Sequence, residues 1–457
     1  MNKILSCGLR RPSFIAALMG IGLIAALPTS AQAASDSDRI RELERKLERS
    51  LQLIEELSNK VHQLETGKTD QPRRIAADNP NQHIDTPGDA FPAASLPAGM
   101  RHHDDSTPLH GFLDAGFAAS GQGNAQASGP KGFNVGSFDL YLTPQFGDRA
   151  KALVELLFEV KANGHLETDL ERVQLGYTFS DAATLWAGRV HTPFGYWNTG
   201  FHHGAQIQTS ILRPKFLDFE EKGGIMPSHL TGMWLTGNVR TGDGKINYDL
   251  YAGNGPRLEI GSTLSTGTSN PAAGGDDNHQ AFVGFNAGYN FGSGAVRGLR
   301  LGAHGFRGDV NDSNGSKTGV SMGGLYGILV NDDWEIMSEY YRFHDTVKTL
   351  TAGATVTTAV GNAHTSNAWF AQAARNFGQW TPFARAEKSA LDRNDPYFFY
   401  QTGGLSYSRQ TLGLRYDLDY SSAIKVEVNS THIDGTNADG TVNDRFPEAR
   451  AQWSARF

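Results

Sequence analysis

From residue 109 to residue 457 the chain repeatedly alternates apolar and polar side chains. Near the end, Ala449, Ala451, Trp453, Ala455 and Phe457 fall on one face, and Glu448, Arg450, Gln452, Ser454 and Arg456 on the other. Period two is the signature of a strand, whose side chains point to opposite faces in turn. Ala152, Val154, Leu156, Phe158 and Val160 interleave in the same way with Lys151, Glu155, Glu159 and Lys161, as do Ile424, Val426 and Val428 with Lys425, Glu427 and Asn429. Sixteen segments of this kind can be delimited, from Leu109–Ala119 to Arg445–Phe457. Every second connection is short, as at Gly147-Asp148, Thr241-Gly242-Asp243 and Phe377-Gly378-Gln379. The intervening ones are mostly long: Thr192–His229, Gly255–His279, Asp345–Ser366 and Asp392–Tyr407. This rhythm predicts an all-β fold, a transmembrane antiparallel β-barrel of about 16 strands over 109–457, with short turns at one rim and long loops at the other.

The first 108 residues follow other patterns. Lys3, Arg10 and Arg11 precede an apolar run from Phe14 to Leu27, and Ala31-Gln32-Ala33 forms a small-residue cleavage site. Residues 1–33 therefore read as a signal peptide, and the mature chain is expected to start at Ala34. The run is too short to span a membrane as a helix, which takes about 20 residues. Residues 34–66 carry Ile40, Leu43, Leu47, Ser50, Ile54, Leu57, Val61 and Leu64 at alternating three- and four-residue spacing. That spacing predicts a short α-helical coiled coil with Ile40, Leu43, Leu47, Ile54, Leu57, Val61 and Leu64 as its oligomerising seam. Residues 67–108 are rich in Pro, Asp, Asn, Gln and Ala without periodicity, which predicts a flexible linker. An even strand count puts both barrel ends in the periplasm, beside the coiled coil.

Composition narrows the chemistry. Cys7, the only cysteine, lies in the signal region, so the mature chain has no thiol. No cofactor or metal is expected. His102-His103 and His202-His203 read as polar segments, and the Asp/Asn/Gly tracts 309–315 and 437–444 do not match a calcium loop. A net charge of −7 gives no reason to expect nucleic acid as a partner. No serine or acid sits in a distinctive catalytic motif, so no enzyme activity is expected.

Charges cost several kcal/mol on the lipid face of a barrel. The charged rows must therefore face inward, around a water-filled channel. Arg172, Arg385, Arg415, Glu155 and Glu427 are the candidate pore-wall residues, with Arg189, Arg450, Arg456, Glu159, Glu387 and Asp417 at similar positions. Because both signs are present, some of these are expected to form ion pairs across neighbouring strands. The long third loop is the candidate constriction, through Arg189, Tyr196, Trp197, Arg213, Lys215, Glu220 and Glu221. A loop of this length that holds several aromatics and aliphatics points to a functional element.

The run Leu185-Trp186-Ala187-Gly188-Arg189-Val190-His191-Thr192-Pro193-Phe194-Gly195 resembles the strand-and-loop segment of the phosphate-selective porin O and P superfamily. The resemblance implies a Gram-negative outer-membrane porin whose third loop folds inward. Anion-selective members use an arginine ladder and a lysine cluster, to which Arg189, Arg213 and Lys215 would correspond. Pro193, Phe194 and Gly195 would shape the loop. The expected function is passive diffusion of small hydrophilic solutes or ions through a homotrimer in the outer membrane. Its partners would be lipid, lipopolysaccharide and, through Trp453 and Phe457, the barrel-assembly machinery. Two alternatives stay open: a substrate-specific channel for phosphate, anions or sugars, with Tyr196, Trp197, Phe201 and Phe216 as an aromatic track, and a structural outer-membrane tether.

Overall fold

The computed structural model describes residues 109–120, 131–161, 163–201, 205–219, 224–260, 268–271, 279–352, 354, 356–434 and 445–457. The expected signal peptide, the expected coiled-coil seam from Ile40 to Leu64 and the expected linker lie outside the described residues, as do Glu220 and Glu221.

The strands are β1 Leu109–Ser120, β2 Gly132–Leu142, β3 Gln145–Phe146, β4 Ala150–Val160, β5 Leu166–Ser180, β6 Ala183–His191, β7 His229–Thr241 and β8 Gly244–Asn254. A hairpin of β9 Pro256–Glu259 and β10 Thr268–Pro271 follows. Next come β11 Phe282–Asn290, β12 Leu299–Asp312, β13 Lys317–Val330, β14 Trp334–Thr349 and β15 Ala363–Arg375. The last four are β16 Trp380–Ala390, β17 Ser406–Asp417, β18 Ser422–Asp434 and β19 Phe446–Arg456.

β2 and β3 form one stave interrupted at Thr143 and Pro144, and β9/β10 is an excursion within a long loop. Sixteen staves remain, each antiparallel to its neighbours, and β1 pairs with β19 to close the sheet. This is the expected strand count. β14 runs to Thr349 and β15 begins at Ala363, so both extend into the long connection expected at Asp345–Ser366. In the tight turns Gly147, Gly242 and Gly378 take φ of 74°, 61° and 64°, a region that favours glycine.

The two faces separate as the alternation requires. Leu412, Ile424, Val426 and Val428 are exposed on the outer face, while Arg385, Glu387, Arg409, Lys425 and Glu427 are buried inside. Aromatic pairs ring the short-turn end: Tyr177 with Phe179 at 5.0 Å, Tyr289 with Phe291 at 4.8 Å, and Trp380 with Tyr416 at 4.4 Å. Such girdles mark the interface of a membrane-spanning barrel.

Closure is completed by Phe457. Its N–H donates to the Gly111 carbonyl and its carbonyl accepts from the Gly111 N–H, both at 3.0 Å. Its ring stacks on Phe138 at 6.1 Å. A Cβ on Gly111 would lie 2.3 Å from the Phe457 ring and 2.8 Å from the Asp139 carbonyl. Gly111→Val is therefore expected to destabilise the folded barrel by about 1–3 kcal/mol, the usual cost of overpacking. The urea-unfolding midpoint of refolded protein measures this, and an unchanged midpoint would contradict this seam.

Candidate functional site: the inward third loop

The connection from β6 to β7 folds into the barrel and packs against the wall formed by β11–β18. Its start explains the Pro-Phe-Gly run. Phe194 is fully buried, edge-on to Phe306 and Tyr341. Gly195 has φ of 61°, and a Cβ there would sit 2.2 Å from the Glu339 carboxylate. Only glycine lets the backbone come this close. The amides of Tyr196 and Trp197 then donate to Glu339 at 3.2 and 2.6 Å, and Asn286 Nδ2 donates to the Gly195 carbonyl at 2.9 Å.

The described residues of the loop have little regular structure, a short helix Trp197–Gly200 and a 3-10 turn Lys215–Leu217. Its peptide groups therefore need other partners, since an unpaired buried one is costly. Wall carboxylates accept its N–H and hydroxyl groups. Glu427 takes the amides of Ile211 and Leu212 at 2.8 and 3.2 Å, Glu387 the amide of Lys215, and Glu335 the Thr209 hydroxyl at 2.8 Å. Wall cations donate to its carbonyls. Arg385 reaches Leu212 and Arg213 at 2.9 and 3.2 Å, and Arg409 also reaches Arg213. Arg415 reaches Gln206 and Gln208 at 2.6 and 3.1 Å, and Lys425 reaches Ala205. Tyr407 accepts the Phe216 amide at 2.9 Å.

These contacts revise several sequence expectations. Arg385, Arg415 and Glu427 do face inward, but they hold the loop and do not line open water. Tyr196, Trp197, Phe201 and Phe216 are buried in an aromatic core with Tyr326, Tyr341 and Phe370, so they form no exposed track. Arg213 is buried too. It donates to the carbonyls of Leu217 and Phe201 at 2.8 and 3.1 Å and lies 4.3 Å from the Phe219 ring, which makes it a brace within the loop. Arg189 pairs in register with Val173 and Thr231, on the face of Ala187 and Met233, and its Nε donates to the Glu171 carbonyl at 3.0 Å. Side chains alternate, so Arg189 is turned away from the inward row of Trp186 and Val190. Lys215 is half-buried, its amine 5.9 Å from the Tyr407 ring centre. Burial and the neighbouring Arg409 guanidinium lower its pKa.

On the other arc, Glu155 and Arg172 form a buried ion pair, as foreseen for some inward charges, with Arg172 5.4 Å from the Tyr141 ring. Solvent reaches the inward side at half-buried Asp114 and Asn134. It also reaches Glu159 and Arg450, whose side chains are 17% and 12% exposed. Glu335, Glu339 and Arg409 escaped the sequence reading as loop contacts. Their signal was present, since each stands on the inward parity of its strand.

No protein-family model matches the sequence, and no curated protein matches it. Among solved structures, the chain resembles the anion-selective porin from Comamonas acidovorans at 10% identity, over 76% of this chain and 98% of that one, with a TM-score of 0.49. It also resembles Salmonella typhi OmpF in complex with daunomycin (12% identity, 76% and 97% coverage, TM-score 0.49) and the outer membrane channel DcaP of Acinetobacter baumannii (13%, 76% and 96%, 0.47). The strand pairing itself defines this chain as a closed, sixteen-stave transmembrane β-barrel.

Glu387 also binds Arg385 and Arg409 at 3.3 and 2.7 Å. Glu387→Ala is therefore expected to cost about 3–5 kcal/mol, because it leaves two buried guanidiniums without their carboxylate. Glu427→Ala should cost about 1–3 kcal/mol through the two orphaned amides, and Glu427→Gln, which keeps an acceptor oxygen, should cost less. Denaturation midpoints of the refolded variants check both, and equal midpoints for Glu427→Ala and Glu427→Gln would contradict the loop anchor.

Proposed function

We propose that this chain is a Gram-negative outer-membrane porin, a narrow channel for passive diffusion of small hydrophilic solutes. The observation that carries this reading is the inward loop. It is fastened to one wall of a closed barrel, and polar side chains still meet solvent on the opposite arc. The permeation route runs along β1, β2, β4 and β19, past Asp114, Asn134, Glu159 and Arg450.

Strong anion or phosphate selectivity is not favoured by this arrangement. Arg213, Arg385, Arg409, Arg415 and Lys425 are engaged with loop carbonyls. The cations that a ladder would need are already partnered, and the solvent-reached residues include two acids and one arginine. Burial of Tyr196, Trp197, Phe201 and Phe216 likewise counts against a sugar track.

A homotrimer has support from the outer surface. On most of the barrel the outward positions turn polar towards the long-loop end, with Arg342 on β14, Lys388 on β16, Gln410 on β17 and Ser430 on β18. On β1, β2 and β4 they stay apolar to that rim, and on β5 Leu170 and Leu166 flank a single polar residue, Thr168. Phe133 is 91% exposed beside Phe117, and Val135, Val160 and Leu166 are exposed as well. Exposed apolar surface above the membrane belt calls for cover, and a second copy of the chain supplies it.

Planar-bilayer recording tests the function. The purified protein should give discrete ohmic channels of low conductance, with a reversal potential near zero in asymmetric potassium chloride. Combining Glu427→Ala with Glu335→Ala should raise conductance and add flicker as the loop loosens. Protein that inserts and remains closed would overturn the channel reading in favour of a tether, and a strongly anionic reversal potential would overturn the placement of the arginines.

A further inference from the structure

The outer surface carries cations where a barrel wall has little use for them. Arg307 on β12, Arg342 on β14 and Lys388 on β16 stand at outward positions and are exposed. None of the three has an ion-pair partner among the described residues. Lys348 on β14 joins them, paired with Asp309.

Strand register places these residues on neighbouring rungs. Ala303, Leu325, Tyr340, Trp369 and Lys388 succeed one another across β12–β16 on one rung. Gly305, Gly323, Arg342 and Asn367 make the next, and Arg307 with Ser321 lies on the one beyond. Among and below the cations the surface is apolar, with Phe285 on the Arg342 rung, Leu325 and Tyr340 on the Lys388 rung and Leu301 one rung lower, all exposed. Beside Arg342 the surface is bare at Gly323, where a Cβ would meet nothing within 4 Å, while Gly305 next to it is buried, with the Phe285 ring 3.3 Å from where its Cβ would be. Beyond Arg307 a recess of about 420 Å³ opens, lined by Gln280, Val283, Asp309 and Lys348 among others.

The arrangement is amphipathic in the vertical direction. An acyl chain would lie on the leucines and aromatics, and an anionic headgroup would meet the Lys388 ammonium on the rung of Leu325 and Tyr340 and the Arg342 and Arg307 guanidiniums one and two rungs beyond it. The guanidinium fork matches phosphate oxygens bidentately. Among the described residues β17 and β18 place Gln410 and Ser430 at this level, the outward positions of β1, β2 and β4 remain apolar, and β6 carries a single outward cation, Arg189.

We propose that the outward faces of β12–β16 form a binding site for the phosphorylated glycolipid of the outer leaflet, lipopolysaccharide. Arg307, Arg342 and Lys388 contact its phosphates, the bare surface at Gly323 lets the headgroup approach Arg342, and Leu325 and Tyr340 carry its acyl chains. This rests on the outer-membrane placement proposed above, but it requires no channel activity.

The test is binding of purified rough lipopolysaccharide to the full mature protein in detergent, followed by native mass spectrometry. Its three comparison arms are the same glycolipid with its phosphates removed, phosphatidylglycerol, and the Arg307→Ala/Arg342→Ala/Lys388→Ala variant. Intact glycolipid should bind best, and each removed cation should weaken it by about five-fold. Arg307→Lys/Arg342→Lys, which keeps both charges and loses the forks, should bind between the parent and the alanine variant, and unchanged heat-modifiability on gels would show that each variant is folded. Undiminished binding by the triple-alanine variant, or equal binding of the dephosphorylated glycolipid or of phosphatidylglycerol, would overturn the site. Because all three residues face outward, bilayer conductance of the variant should match that of the parent. A non-conducting barrel that still binds would fail the channel reading alone.

Discussion

One requirement organises the interior of this barrel: the peptide groups of an irregular segment enclosed by protein must find partners. The third loop has few internal hydrogen bonds to offer itself, and the staves around it are already paired along their backbones. Side chains of the wall meet the need. Carboxylates on β14, β16 and β18 face its amides, and guanidiniums and an ammonium on β16, β17 and β18 face its carbonyls. The mixed signs of the inward rows follow from the two polarities of the peptide bond. Irregular backbone at membrane depth is tolerated only where protein or a water-filled cavity surrounds it, and here protein provides most of the surround.

Aromatic packing works alongside this polar grip. Trp197 meets Phe370 edge-on at 5.4 Å, and Phe216 meets both Phe370 and Tyr341. The helix Pro396–Thr402 in the seventh external connection adds to the same core, with Phe398 edge-on to Phe343 and the Tyr397 hydroxyl donating to the Ile225 carbonyl at 2.9 Å. The main hydrophobic core thus sits on the loop side of the barrel interior, while Phe112, Tyr141, Leu153, Leu157 and Trp186 are buried on the opposite arc. Hydrogen bonds set where the loop runs, and the rings give the loop a fixed position across its width.

Much of the fold was legible because period two is a local signal. Leu412, Leu414 and Tyr416 against Arg415 and Asp417 settle which face is which without knowledge of a neighbour. The long and short connections add the phase of the staves. Contact partners across the lumen were not legible, since they depend on residues more than a hundred positions apart, as with Tyr196 and Glu339. A loop arginine reads the same in sequence whether it meets a solute or a carbonyl, and Arg213 meets carbonyls. Arg189 illustrates a second limit: its outward face is fixed by its pairing with Val173 and Thr231, and the local run Trp186-Ala187-Gly188 does not alternate clearly enough to assign it.

The meeting of Phe457 with Gly111 bears on the order of assembly. β1 and β19 lie at opposite ends of the described chain, so their ladder is the contact of greatest sequence separation and the one whose formation must overcome the most chain entropy. Hairpins between adjacent staves can form early, each from a few residues of connection. The cylinder becomes watertight only when this final zip closes, and until then both edges present unpaired backbone to lipid. A chaperone that shields an open sheet edge would act on this stage, and the stacked ring of Phe457 on Phe138 would lock the product once the two edges have met.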